Sequence, residues 1–259
     1  MRKYIILGIV ALIMSSCAET ITRGTQYPKM YEEKPLSIVV MPPINQTNSV
    51  EAKDYFYTTL YAPLCEKGYY VFSPMMTMEM FQSESAYDSE MFIEGNLAQF
   101  RNILGADAAL FTIIKSWKRN NVGGVLTAGV EYILRSTKTG ETLYQREGLI
   151  KVDTSVRSGG GGLLGALVDL AATAVSTAAT DKVVAGRKCT LFVLSDMPEG
   201  RYSPKFDQDQ KLPAGKKFIK ATVKQLRISY NHSTIYSGRA LFVALPCLII
   251  VYSKCIYWF

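Results

Sequence analysis

Few residues in this chain have a type and setting suited to chemistry. His232 is the single histidine among 259 residues, and it stands in the stretch from Pro213 to Phe259. Serine–histidine–aspartate, cysteine–histidine and histidine–metal chemistry all need that side chain, so the body of the chain is left almost without them. Glu131 and Asp153 fall on adjacent predicted strands. They read either as a carboxylate pair able to act without histidine or as solvated charges on a sheet face. Met75, Met76, Met78 and Met80 offer four thioethers, suited to core packing or to Cu(I). Gly159 to Gly162 lacks the Gly-Lys-Ser/Thr ending of a phosphate loop and the spaced glycines of a dinucleotide site. It reads as a flexible linker before a helix. These readings predict no catalytic residue, no metal site and no cofactor.

Cys17 has the most definite context. Arg2 and Lys3 form a short positive start, and Tyr4 to Met14 is an apolar run too short to span a bilayer as a helix. The run ends in Ile13-Met14-Ser15-Ser16-Cys17, which resembles a lipobox, with Met14 where leucine is commoner. The expectation is a signal peptide over residues 1–16 and lipid attachment at Cys17. An ordinary secretory signal or a short buried helix are the alternatives. Several acyl chains on one cysteine would hold the protein firmly to a leaflet, at ~0.8 kcal/mol per buried CH₂. Ala18 follows instead of an aspartate. By resemblance to enterobacterial sorting rules, that favours the outer membrane with the body facing the periplasm.

The formal charge of +7 invites a nucleic-acid reading, which its distribution removes. Every acidic residue lies at or before Asp209, and Pro213 to Phe259 holds seven lysines and arginines and no acid. The body is therefore nearly neutral and the basicity belongs to the tail. Cys65 and Cys189 sit in apolar contexts with no CxxC spacing and read as buried thiols.

Residues 17–35 form a polar tether. Leu36 to Met41 is a buried strand ended by Pro42-Pro43, followed by the loop Ile44 to Ser49. Glu51 to Lys67 is a helix stopped by Gly68; Tyr69 to Phe72 is a second strand; Pro74 to Gln82 and Phe92 to Leu104 are further helices. Strands at Ala108 to Trp117, Val122 to Ser136 and Thr142 to Thr154 are joined by turns at Lys118 to Asn121 and Thr137 to Gly140. A long helix runs from Leu163 to about Lys182, with continuation towards Leu194 as an option. The fold class is α/β: a mixed sheet with parallel βα units, then an antiparallel meander and a long packing helix. The domain spans residues 36–212. The tail at 213–259 lies outside it, as a non-native extension, a tail that packs or binds lipid, or a membrane span.

Four segments resemble a family of bacterial lipoproteins of unassigned function, which includes a meningococcal vaccine-candidate antigen. They are Ser37 to Thr47, Tyr61 to Val71, Leu104 to Ala108 and Pro198 to Pro204. The resemblance implies a fold similar to the N-terminal domain of TolB and the periplasmic part of CsgG. It also implies a non-enzymatic role in envelope assembly, transport or secretion, beside a CsgG-like lipoprotein and with a homo-oligomer as an option. Binding of a small molecule, lipid or peptidoglycan fragment is the alternative. The loop residues Pro42, Pro43, Asn45 and Thr47 leave the carboxyl end of a central strand, where open α/β sheets present clefts. They are the candidate interaction site, or simply a rigid turn. Substituting Cys17→Ser is expected to abolish palmitate incorporation and shift the protein out of the membrane fraction; unchanged labelling would refute lipid attachment there.

Overall fold

The computed structural model describes residues 20–83, 89–120, 125–153 and 182–224. The chain divides into two units, residues 1–224 and 225–259, and the second lies outside the described residues. So do the signal segment, Cys17, the four-glycine run, the body of the helix expected from Leu163, and His232.

The first unit is built on one mixed sheet of seven strands. These are β1 (Ser37–Val40), β2 (Ile44–Asn45), β3 (Tyr70–Val71), β4 (Ala108–Asn120), β5 (Val125–Ser136), β6 (Thr142–Asp153) and β7 (Phe218–Lys224). The order is β3-β1-β4-β5-β6-β7, with β2 also beside β4. β1 runs parallel to β3 and β4, the β4-β5-β6 meander is antiparallel, and β7 is parallel to β6. The helices are α1 (Arg23–Gln26), α2 (Pro28–Glu33), α3 (Ala52–Thr59), α4 (Tyr61–Glu66), α5 (Pro74–Ser83), α6 (Glu90–Ile93), α7 (Ala98–Leu104) and α8 (Lys182–Val193).

The sheet divides two cores because side chains alternate along a strand. From β1, Ile38 and Val40 enter the main core with Phe56, Leu60, Leu110 and Tyr132. Val39 and Met41 enter a second core with Phe81, Phe100 and Phe111. This accounts for the unbroken apolar run, since a strand covered on both faces needs no polar alternation. α8 lies close to α3, where a Cβ on Gly186 would stand 3.3 Å from the Tyr55 carbonyl oxygen. Burial raises the Cys189 thiol pKa far above its ordinary value, so this thiol is held neutral.

Several elements differ from expectation, among them β2, a short strand where a loop was expected. The helix expected from Glu51 to Lys67 is two helices, because Pro63 has no N–H for the Thr59 carbonyl and α3 ends there. The helix expected from Phe92 is split around Gly95 and Asn96, and Asn96 Oδ1 accepts from Ala98 N at 2.9 Å. β4 continues past Trp117, with Lys118, Arg119 and Asn120 still paired to Thr127, Leu126 and Val125.

Both expected domain boundaries move outward. The tether expected at 17–35 is, from Thr22 onward, folded onto the domain: α1 and α2 bring Tyr27 and Met30 into the main core. The boundary expected at 212 cuts through the fold, because Ile219, Ala221 and Val223 of β7 pack on that same core. Charge marks this stretch as different, but its alternating apolar residues are those of a strand. A buried polar cluster joins the two ends. Arg23 reaches Asp196 at 3.3 Å and Asp209 at 3.0 Å. Asp196 also accepts from the Tyr27 hydroxyl and Gly215 N, each at 2.9 Å. Asp209 accepts from the Tyr31 hydroxyl and Glu199 N, each at 3.1 Å. Nearby, the buried Arg146 donates to the Lys216 carbonyl at 3.0 Å.

Truncation after Leu212 removes β7, the Gly215 donor and the Lys216 acceptor. Each buried partner lost costs about 1–3 kcal/mol. That truncation is expected to lower stability by more than about 3 kcal/mol in urea unfolding, whereas truncation after Lys224 keeps a cooperative transition. Equal stability of the two would show that β7 is dispensable.

Candidate functional site

Within the Pro42 to Thr47 segment, expected to be a loop, Ile44 and Asn45 form strand β2 beside β4, and the polar side chains after it are tied down locally. Pro42 and Pro43 are buried, and Asn45 and Thr47 are half-buried. Asn45 Oδ1 accepts from Thr47 N at 3.0 Å and from Thr47 Oγ1 at 2.8 Å, while Asn45 Nδ2 donates to the Ser49 carbonyl at 2.8 Å. The polar groups that mark this loop are thus used in holding it. Gln46, Asn48 and Val50 are its exposed residues.

The expected carboxylate pair does not come together. Glu131 stands opposite Glu147, and Asp153 stands opposite Val125. Six positions along β5 separate these registers, about 20 Å at strand rise. Glu131 instead joins Lys115 at 2.8 Å, and Lys115 reaches Glu147 at 2.7 Å, on a partly exposed sheet face. Among the described residues, no three histidine, cysteine or acidic side chains are grouped to hold a metal. The four methionines diverge as well: Met78 packs against the main core, while Met75 and Met76 are 73% and 65% exposed.

The methionines lead to a site that sequence reasoning missed. α5, α6 and α7 enclose a cavity of about 540 Å³. Phe81, Phe92 and Phe100 form its floor as a triangle of rings with centroids 5.3–6.1 Å apart. Met80, Met91, Ile103 and Leu104 line the sides, Thr77, Ser83 and Gln99 supply the polar atoms, and no ionisable side chain lines it among the described residues. Met91 and Ile103, on different helices, are 70% and 72% exposed. Exposed apolar side chains gathered around a cavity mark a binding surface, and flexible thioethers adapt to varied apolar partners.

The framework fixes these walls. Tyr57 of α3 holds α5: its hydroxyl donates to the Pro74 carbonyl at 2.7 Å and lies 2.9 Å from Thr77 Oγ1. Burial pushes the Tyr57 pKa up to about 12. Ser89, just before α6, donates to the Pro42 carbonyl at 2.6 Å. Arg135 of β5 donates to the Ile93 carbonyl at the end of α6 and, at 2.7 Å, to the Gly140 carbonyl. A cation at a helix C-terminus is favourable.

The four segments singled out in the sequence are neighbours in the fold. Asp107 Oδ2 accepts from Leu36 N at 3.0 Å and Ser37 N at 3.1 Å. Gly200 N donates to the Lys67 carbonyl at 2.7 Å, Tyr202 N to the Gly68 carbonyl at 2.9 Å, and the Tyr69 hydroxyl to the Pro198 carbonyl at 2.8 Å. Gly68 has φ 86°, and a Cβ there would overlap Ser203 N. These residues hold the chain together, and Lys67 and Glu199, paired at 3.1 Å, border a small cleft with Pro63, Glu66, Leu191 and Leu194.

A protein-family model described as "Putative lipoprotein GNA1162-like" matches residues 25–199. The "Putative lipoprotein NMB1124/NMB1162" of Neisseria meningitidis serogroup B is 27% identical over 183 residues, covering 70% of this chain and 84% of that protein. The crystal structure of lipoprotein GNA1162 from Neisseria meningitidis is 25% identical, covering 55% of this chain and 99% of that one, with a TM-score of 0.43. A PelC dodecamer from Paraburkholderia phytofirmans is 14% identical, covering 65% of this chain and 91% of that one, with a TM-score of 0.39.

Tyr57→Phe should cost about 1–2 kcal/mol at neutral pH, a fall of a few degrees in Tm, by removing the tie to α5. The wild type holds this hydroxyl protonated above pH 10, where the unfolded chain releases the proton. Its contribution is therefore full below pH 10 and is lost as pH rises from 10 towards about 12. The variant should show a shallower loss across that window; an unchanged alkaline slope would contradict the assignment.

Proposed function

Since the chain belongs to the GNA1162-like lipoprotein family, we propose that it is a lipid-anchored, non-enzymatic protein-interaction component of the bacterial envelope. Its anchor is Cys17, its leaflet is that of the outer membrane, and its body faces the periplasm. It acts in envelope assembly, transport or secretion. The observation that carries this reading is the cavity between α5, α6 and α7, apolar within, free of ionisable lining among the described residues and flanked by exposed methionine and isoleucine. Such a surface suits an apolar segment of a protein partner: burying several methionine and isoleucine side chains contributes about 1.5–3 kcal/mol each. A CsgG-like lipoprotein is the partner that the family resemblance suggests, and a second copy of the chain is the other.

The non-enzymatic reading is supported by the fates of the polar side chains. Asp107, Asp196, Asp209, Asn45 and Thr47 are spent on backbone and neighbouring groups, and Glu131 lies far from Asp153.

Mild detergent extraction of the full chain is expected to bring a partner with it, and Met80→Asp with Ile103→Asp should release that partner while the chain stays folded and membrane-bound. A solitary monomer in both preparations would overturn the proposal. A second reading rests on the cavity volume, which falls within the ~300–1,000 Å³ of small-ligand sites. In that case the purified protein would carry a lipid or other apolar molecule by native mass spectrometry, and the same two substitutions would empty it.

A further inference from the structure

The start of the described chain carries a separate feature. Thr22 and Pro213 form an antiparallel bridge, flanked by hydrogen bonds from Ala214 N to the Ile21 carbonyl and from Arg23 N to the Leu212 carbonyl. The chain next to the anchor is thereby fixed against residues 210–215. Ile21 and Leu212 beside the bridge are 58% and 50% exposed. Lys211, Lys216 and Lys217 are exposed on the same short stretch. None of the three pairs with an acid among the described residues. The acids nearest in sequence are already neutralised: Asp207 is bound to Lys34 at 2.6 Å, and Asp209 is buried on Arg23.

We propose that this face rests on a bilayer bearing anionic headgroups, with Lys211, Lys216 and Lys217 among the headgroups and Ile21 and Leu212 at the water–lipid boundary. The placement rests on Cys17 as the acylated residue. Thr20, the first described residue, is three positions after Cys17, and three residues fully extended span at most about 10 Å. The body therefore cannot rise from the leaflet by much more than the ~8 Å over which charges attract at physiological ionic strength. Within that distance each lysine strengthens binding to an anionic surface about fivefold. Apolar side chains between lysines give the mixed character of an interfacial surface.

Two measurements on the full chain test this. In the first, lysine acetylation is mapped on protein bound to phosphatidylcholine vesicles with and without phosphatidylglycerol. Lys211, Lys216 and Lys217 should react several-fold more slowly on the anionic vesicles, while Lys118, towards the other end of β4, should not change. In the second, the acyl-free Cys17→Ser chain should lose about a hundredfold in binding to anionic vesicles when Lys211, Lys216 and Lys217 are all replaced by Glu, judged at equal folded content. Unchanged rates at Lys211, Lys216 and Lys217 between the two vesicle types, or equal binding of the triple variant, would overturn the proposal. Palmitate labelling reports on Cys17 independently, so loss of the anchor assignment is distinguished from loss of the lysine face.

Discussion

The first unit depends on one buried charge arrangement, Arg23 between Asp196 and Asp209. Each carboxylate accepts from Arg23, from a tyrosine hydroxyl and from a backbone N–H. Such a cluster adds little net stability when complete, because desolvation offsets much of the attraction. Breaking it is another matter, since a charge left alone in the interior costs about 3–5 kcal/mol. Its effect is to specify position. These bonds fix α1 and α2 against the stretch from Ser195 to Gly215. The bridge at Thr22 and Pro213 and the strand β7 follow from this pairing.

A second constraint is steric. Gly68 and Gly200 let two loops approach at backbone distance, where a Cβ on either would overlap the opposing chain. The hydrogen bonds from Gly200 and Tyr202 to Lys67 and Gly68 need that approach. Lys67 completes it by donating to the Met197 carbonyl at 3.0 Å and to Glu199 at 3.1 Å. Three of the four segments singled out in the sequence thus meet at or beside this close approach. The apolar cavity lies elsewhere, between α5, α6 and α7.

The strands were the most legible part of the sequence. Period-two burial and a turn at Gly140, with φ 74°, set β5 and β6 almost to the residue. The mixed parallel and antiparallel class followed from the same pattern. Helix continuity was less legible, because Pro63 and Gly95 act locally within otherwise apolar stretches. The domain ends were misplaced for a physical reason: polarity suggested solvent for Arg23 and Tyr27, yet their polar atoms meet partners 173 and 169 positions away. The Met75 to Met80 segment carried the signal for the cavity, with several large apolar residues facing different sides of one helix. Only the fold could show that Met80 turns towards Phe81 and Phe100 while Met78 turns inward. Cys17 lies outside the described residues, so its reading rests on its sequence context alone.

The long span between Arg23 and Asp196 orders events in time. A ribosome delivers Arg23 early and Asp196 173 positions later. Contacts so distant in sequence form slowly, because closure of the intervening chain must precede any reward. The segment from Thr22 to Tyr31 is therefore the first of these partners to be made and among the last to be fastened.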